Sequence, residues 1–468
     1  MANDERTIDV ENEGVAAIST PAGVGGIAIV RLSGAGVIET ADALFSAAAE
    51  NAGLKTKKSY TLTLGWLNDE NGDRIDQVLV SVMRKPHSYT GEDVVEINCH
   101  GGLLVAQKCL RQFLKAGLRL AEPGEFTRRA FLNGRLDISQ AEAVIEIINA
   151  RSDKMLQLSV RQLEGINSRL ISAVEERLLS LTADIEAALD FPDEAGEISL
   201  EAMEETVKIQ INELENMLQG AKRTEIYRNG AVITICGKPN VGKSTLLNTF
   251  LCKERAIVTP VPGTTRDTIE EFLTIRGIPV KLIDTAGIRE TRDLIENLGV
   301  ERSKKAIYNS DALLFLLDGA GGVEEEDIAV YELIKDFEPL IVINKSDLKE
   351  QKASSAELET LFPRQRFLFI SAREGYGLEQ LEAAIEAKIL GGGAETAHYE
   401  IMVNIRQKEA LLKAIKHLKD FLETCGIITL DCLSIDIEMA GYALGEITGK
   451  NLKEEAIDRI FSEFCIGK

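Results

Sequence analysis

The sequence predicts a multidomain protein that joins α/β and all-α parts. Three observations predict it. The chain has 468 residues, more than one ordinary hydrophobic core uses, so about two to three domains are expected. Its hydrophobic pattern changes from short strand-like runs to helical spacing, and then to buried strands alternating with helices. Finally, a glycine-bearing octapeptide stands between one such strand and the helix that follows.

Residues 1–125 are glycine-rich and carry the strand-like runs "GIAIVRL" (26–32) and "QVLVSVM" (77–83), with turn residues between them. This is an N-terminal α/β or α+β domain. Residues 126–222 read as long helices. From Gln140 to Leu189, apolar residues recur at three- and four-residue spacing with no proline. A break at "DFPDEAGE" (190–197) precedes an acidic helix. Residues 223–392 alternate strands and helices as in a doubly wound parallel sheet. "GGGAETAH" (391–398) is a linker. Residues 396–468 return to helical patterns, at 404–424 and 451–464. The helical domain is therefore expected to be split, with the second α/β domain inserted between its halves.

Composition narrows the class. The chain is 45% hydrophobic and 27% charged, and no apolar run reaches the roughly 18–20 residues of a membrane helix. The start, "MANDERTIDVENEG", lacks the apolar region of a secretory leader. Seven cysteines without a C-x-x-C pair point to reduced thiols in a cytoplasm, against a disulfide frame or zinc site. A net charge of −22 means that any contact with nucleic acid uses a local basic patch or a more basic partner.

The octapeptide Gly237-Lys238-Pro239-Asn240-Val241-Gly242-Lys243-Ser244 fits G-x-x-x-x-G-K-[ST] in full. Its glycines let backbone N–H groups approach phosphate oxygens, Lys243 brings positive charge to the β- and γ-phosphates, and the Ser244 hydroxyl suits Mg²⁺. The helix that starts there, with Thr245 in its first turn, points its positive end at the anion. Three further strand ends follow. "KLIDTAG" brings Asp284, Thr285, Ala286 and Gly287, for Mg²⁺ through water and for the γ-phosphate. "LIVINKSD" brings Asn344, Lys345 and Asp347, whose carboxylate selects guanine by accepting from its N1–H and amino group together. "LFISAR" brings Ser371, Ala372 and Arg373 near the same base. In this order the four elements resemble the Ras-like GTP-binding module.

A Ras-like switch carries glutamine after Asp-Thr-Ala-Gly to orient water. Here Ile288 stands at that position, and Glu290, Asp293 and Glu296 follow as candidates. "VTPVPGTTRDT" (258–268) is the candidate first switch, with Thr265 as a second hydroxyl for the metal. Asn240 is either a turn residue or a side-chain ligand for a monovalent cation.

Other features carry plain readings. "GVGGIA" (23–28) precedes its strand and is a turn, not a dinucleotide fingerprint. His100-Gly101-Gly102 is a tight turn. The basic stretch 404–420 is a solvated face before it is a contact for tRNA phosphates or a partner. Cys465 reads as a lipid site, a nucleophile or a packed thiol. The terminal Lys468 argues against a prenyl box.

Three blocks extend the resemblance beyond the GTPase core. They are "ISTPAGVGGIAIVRLSG" (18–34), "SYTGEDVVEINCHGG" (88–102) with "PGEFTRRAFLNGRLDISQAEAV" (123–144), and "LGEITGKNLKEEAIDRIFSEFCIGK" (444–468). Over essentially its whole length the chain resembles the MnmE (TrmE) family of tRNA modification GTPases. That resemblance implies an N-terminal domain that dimerises and binds a tetrahydrofolate derivative, a split helical domain and an inserted Ras-like G domain. It implies a FAD-containing partner, MnmG (GidA), and modification of C5 of the tRNA wobble uridine with a carboxymethylaminomethyl or aminomethyl group. It also implies K⁺ in place of an arginine finger, with Asn240, the Thr259 and Val261 carbonyls and Thr264 as ligands. Ser244 and Thr265 would hold Mg²⁺, and Glu296 would orient the water. Arg31, Glu96, Arg135 and Lys468 would form the folate site, with Cys465 beside the one-carbon unit. The family often has lysine where this chain has Arg135, which keeps the charge but changes its geometry. Two other classes compete: a ribosome-assembly switch similar to the Era and Der families, which lack the Gly-Glu-Asp block and the Cys-Ile-Gly-Lys end, and a GTPase anchored by lipid at Cys465.

Overall fold

A computed structural model describes residues 13–48, 53–150, 152–191, 199–253, 273–284, 307–348, 355–363, 365–391 and 401–468. The chain divides into two compact units. One comprises Met1–Ile145, Leu163–Phe191 and Ser434–Lys468, and the other Glu146–Gln162 and Pro192–Leu433.

The first unit is built on a seven-stranded sheet. Its strands are β1 (Val15–Ile18), β2 (Ile27–Ser33), β3 (Phe45–Ala47), β4 (Thr61–Asn68), β5 (Arg74–Met83), β6 (Val94–His100) and β7 (Arg119–Leu120). They lie in the order β3-β4-β5-β6-β2-β1-β7. Only β1 and β7 pair in parallel. Alternation fixes the faces. Ala28, Val30 and Leu32 of β2, with Val78, Val80, Val82, Val95, Ile97 and Cys99, form one buried face. Val37, Ile38 and Ala41 of the helix Val37–Leu44, and Ala106, Cys109 and Phe113 of the helix Leu103–Lys115, pack on that face. The opposite face carries Arg31 and Glu96 as register partners, and farther along it Leu62, Leu64 and Leu79 are exposed. The turn expected before β2 is present. Gly25 N donates to the Gly101 carbonyl at 2.8 Å, and a Cβ on Gly101 would overlap the Gly25 carbonyl.

The remaining helical segments of this unit include Glu125–Leu132, Ile166–Asp190 and Glu454–Ser462. Ile138, Ala141, Phe461 and Phe464 share a small core, which seats the last helix against the segment that follows the sheet. The helical pattern expected from residue 451 begins at Glu454, with Lys453 as its cap.

The second unit holds a six-stranded sheet. Its strands are β8 (Ala231–Cys236), β9 (Leu273–Ile275), β10 (Ile278–Asp284), β11 (Ala312–Asp318), β12 (Leu340–Asn344) and β13 (Phe367–Phe369), in the order β13-β12-β11-β8-β10-β9. All neighbours pair in parallel except β9 and β10. The run "ALLFLLD" of β11 is buried on both faces, as a central parallel strand must be. Leu314 and Leu316 pack with Leu246, Phe250, Leu381 and Ile385, while Phe315 and Leu317 pack with Tyr331, Leu358 and Phe362. Helices on both faces make this the doubly wound fold. Long helices Leu200–Asn229 and Ile405–Thr424 complete the unit. Asn404 and Gln407 cap the second of these reciprocally.

Candidate functional site

The octapeptide joins β8 to the helix Lys243–Lys253. Its shape depends on two glycines. Gly237 has φ 144 and Gly242 φ 102, and a Cβ would overlap the Leu316 carbonyl at the first and the Asn344 amide at the second. Exposed Asn240 also adopts the left-handed region, with φ 66, which asparagine tolerates better than most side chains. Val241 is buried and anchors the loop in the core. The Lys243 ammonium donates to the carbonyls of Gly237 and Lys238, both at 2.8 Å. Ser244 and Thr245 are exposed at the helix start.

Asn344 ends β12 and is buried. Its Nδ2 donates to the Val241 carbonyl at 2.8 Å, and its Oδ1 accepts from the Ala372 N–H at 3.0 Å. One side chain thus fastens the phosphate loop to the Ser371–Arg373 segment. Thr249 adds a second tie, its hydroxyl donating to the Ala372 carbonyl at 2.7 Å. Asp347 is exposed. A hydrogen bond from Ser371, first, holds its carboxyl below the usual range, so the acceptor expected to face guanine is ionised. Lys345 has φ 64 and donates to Asp318 at 2.6 Å. Arg373 is exposed and lies 3.8 Å from the Glu374 carboxylate. Asp284 closes β10 beside Ile235 of β8. Thr259, Val261, Thr264, Thr265, Thr285, Ala286, Gly287, Ile288, Glu290, Asp293 and Glu296 lie outside the described residues.

A second cluster forms in the first unit, where residues 465–468 lie along β1 and the start of the helix Glu125–Leu132. Ile466 bridges Pro123, and Phe126 N donates to the Lys468 carbonyl at 3.2 Å. Gly467 has φ 94, and a Cβ there would overlap the Ile18 carbonyl. Its own carbonyl accepts from the Ser19 hydroxyl at 2.9 Å and from Arg31 at 3.5 Å. Arg31 also holds Glu96 Oε1 through Nε and Nη2, both at 2.8 Å. Its guanidinium lies 5.7 Å from the Tyr89 ring centroid and 5.6 Å from that of Phe126, within cation–π range. Burial first, and the Arg31 charge second, push the Lys468 ammonium below the ordinary lysine range, against the pull of Glu96.

Arg31, Glu96 and Lys468 are therefore brought together. Cys465 is exposed on the same tail. Arg135 is exposed in the loop after the helix Glu125–Leu132, where its Cγ would meet a Cβ on Gly91 at 3.4 Å.

A family profile described as "MnmE helical domain" matches residues 138–465, and one described as "GTP-binding protein TrmE N-terminus" matches residues 14–135. The chain belongs to the MnmE family. The tRNA modification GTPase MnmE of Syntrophomonas wolfei is 53% identical over 454 residues, which is 97% of this chain and 99% of that protein. MnmE of Carboxydothermus hydrogenoformans is 45% identical over 457 residues, with 97% and 99% covered. Among solved structures, Aquifex aeolicus Era bound to GDP.AlF4⁻ aligns with a TM-score of 0.27 at 28% identity, over 40% of this chain and 66% of that one. As a member of the MnmE family the chain is a GTP-hydrolysing enzyme. Among the described residues no helix is long and apolar enough to cross a membrane.

Several residues of this MnmE-type site escape a reading by motif. Ser19, Tyr89 and Phe126 surround Arg31, and only the pairing of β1, β2 and β6 and the course of the tail bring them there. Behind them lies a buried ion network. Arg129, 4% exposed, reaches Glu92 at 3.0 Å and Glu125 at 2.8 Å. Glu125 also takes Arg119 at 2.5 Å, and Glu92 accepts from Ser33 at 2.7 Å. The network ties the loop that carries Tyr89 to the helix that carries Phe126.

Proposed function

We propose that this MnmE-family chain binds GTP with Mg²⁺ at Gly237–Ser244, hydrolyses it, and serves modification of tRNA at C5 of the wobble uridine. The observation that carries the reading is Asn344, whose side chain joins the phosphate loop to the Ser371–Arg373 segment. Phosphate and base recognition then belong to one built pocket. Glycine N–H groups receive the phosphates, and the Lys243 ammonium leaves its two carbonyls for the β- and γ-oxygens. Asp347 accepts from guanine, held ionised by Ser371. Ala372 and Arg373 flank the base.

The exposed Ser244 hydroxyl, with Thr265, fits Mg²⁺, which when bound neutralises phosphate charge. The left-handed, exposed Asn240 supports a K⁺ site completed by the Thr259 and Val261 carbonyls and Thr264. Glu296 is our choice for the residue that orients water, since Ile288 has no polar atom. Asp284, Thr285, Ala286 and Gly287 would face the metal and γ-phosphate.

The cluster Arg31, Glu96 and Lys468 supports a site for a tetrahydrofolate derivative, which supplies the one-carbon unit. A carboxylate and a cation between aromatic rings suit a pterin amide edge and an anionic tail. Arg135 and Cys465 stand at its margin. The exposed Leu62, Leu64 and Leu79, farther along the sheet face that carries Arg31, favour a homodimer through the first unit. We further assign MnmG (GidA), with its FAD, as partner, and the cytoplasm as location. Residues 1–125, 126–222 with 396–468, and 223–392 are the folate, helical and G parts of this reading.

The test is nucleoside mass spectrometry of tRNA from cells lacking the chain. Unchanged wobble-uridine modification would sink the proposal. Exchanging K⁺ for Na⁺ should slow hydrolysis at least about tenfold, the electrostatic stabilisation of one transition-state donor being of that order or more. An unchanged rate removes Asn240 from its role.

A further inference from the structure

Both nucleotide loops rest on one segment that carries no motif, from the end of β11 into the first turn of the helix Glu325–Ile334. At its start, Asp318 takes the Lys345 ammonium on Oδ2 at 2.6 Å. Its Oδ1 accepts from the N–H groups of Ala320 at 3.0 Å and Gly321 at 3.2 Å. At its end, Glu324 and Asp327 hold the Lys238 ammonium at 2.9 Å and 3.2 Å. Lys238 is the second residue of the phosphate loop, and Lys345 follows Asn344 in the base loop.

Both contacts are built rather than incidental. The Asp327 side chain is 0% exposed. Its Oδ2 also accepts from Glu324 N at 3.0 Å, closing the cap of the helix. Its Oδ1 is buried without a hydrogen-bond partner among the described residues. The Lys238 charge thus compensates a carboxylate that would otherwise be stranded. Burial alone would lower Lys238, but Glu324 and Asp327 outweigh it and hold the ammonium above its ordinary range. On the other side, Lys345 keeps a left-handed φ of 64, which a lysine holds only when its surroundings fix it.

We infer that residues 318–327 brace the nucleotide site, with Glu324 and Asp327 positioning the phosphate loop through Lys238, and Asp318 positioning the base loop through Lys345. The inference rests on the reading that these loops bind GTP. The two arms act on different parts of the nucleotide. The Lys238 carbonyl carries the Lys243 ammonium at 2.8 Å, so a slack Lys238 arm displaces the lysine that meets the phosphates. Affinity then falls for GDP and IDP alike. A slack Asp318 arm displaces Asp347, two residues beyond Lys345. GDP then loses its advantage over IDP, which lacks the guanine amino group.

The experiment uses the full chain, with a fluorescent GDP analogue as probe and GDP and IDP as competitors. A wild-type chain that fails to bind the probe overturns the GTP reading and the brace with it. Given wild-type binding, Lys238→Met should raise Kd about tenfold for both nucleotides, and Lys238→Arg should restore it. Lys238→Met combined with Asp327→Asn strands no charge, so its melting temperature should recover while its Kd stays raised. Asp318→Asn should narrow the GDP-over-IDP ratio about tenfold. A wild-type Kd in Lys238→Met, or a double variant whose Kd recovers along with its melting, overturns the Lys238 arm. An unchanged GDP-over-IDP ratio in Asp318→Asn overturns the other.

Discussion

Replacing Gly467 with alanine should lower the proposed wobble-uridine modification while GTP hydrolysis persists. The residue sits at φ 94, where a β-carbon costs about 1–2 kcal/mol. The new carbon would overlap the Ile18 carbonyl and stand 2.9 Å from Ser19 Cα. Both are backbone atoms of or beside β1, which is paired on both sides, so the tail must give way. Such overpacking adds about 1–3 kcal/mol. Four hydrogen bonds oppose release, from Ser19 at 2.9 Å, Arg31 at 3.5 Å, Phe126 N at 3.2 Å and Gly124 N at 3.5 Å. At about 0.5–1.5 kcal/mol each they supply about 2–6 kcal/mol, against about 2–5 kcal/mol of strain. The tail should therefore spend much of its time detached. Amide exchange at Phe126 should quicken, and wobble-uridine modification, read by mass spectrometry of tRNA nucleosides, should fall at least about tenfold. Basal GTP hydrolysis should hold, because its residues lie in the other unit. Wild-type exchange together with wild-type modification would refute the reasoning.

Other perturbations test the remaining geometry. Asn344→Ala leaves the Val241 carbonyl and the Ala372 N–H buried without partners, at about 1–3 kcal/mol each. GDP should leave at least about tenfold faster, and a wild-type dissociation rate in stopped flow would count against the clamp. Arg31→Met should abolish binding of a tetrahydrofolate derivative in titration calorimetry while GTP hydrolysis persists; retained binding would remove Arg31 from the site. Burial and the Arg31 charge depress Lys468 below its ordinary value of 10.5. Between its folded pKa and that value the unfolded chain holds more protons, so the tail's contribution to stability rises with pH. The neutral amine should also acylate at a pH where surface lysines do not, and peptide mass spectrometry showing equal reactivity would contradict that.

Much of this was legible because it is local. The octapeptide between strand and helix follows from backbone demands that only Gly237 and Gly242 meet. The turn before β2 follows from the glycines at 23–26. What depends on tertiary approach was not legible. Asn344 reads as a base contact, yet both ends of its amide are spent on the protein. Nothing local marks Asp318 or Lys238, and only the fold sets each against its partner. Arg31 reads as a surface charge on a strand, and only the register with Glu96 and the approach of Tyr89 and Phe126 give it another meaning. The ion network through Glu92, Arg129 and Glu125 was hidden for the same reason, since three charges in short helical and loop segments look solvated.

The tie between Ser19 and Gly467 joins residues 448 apart in sequence, and that between Arg31 and Gly467 joins residues 436 apart. On the ribosome the strand that carries Arg31 emerges early, and its partner Gly467 emerges after the phosphate and base loops. The phosphate and base loops are synthesised in between. A nascent or truncated chain would therefore complete its phosphate and base loops before the Arg31 cluster closes.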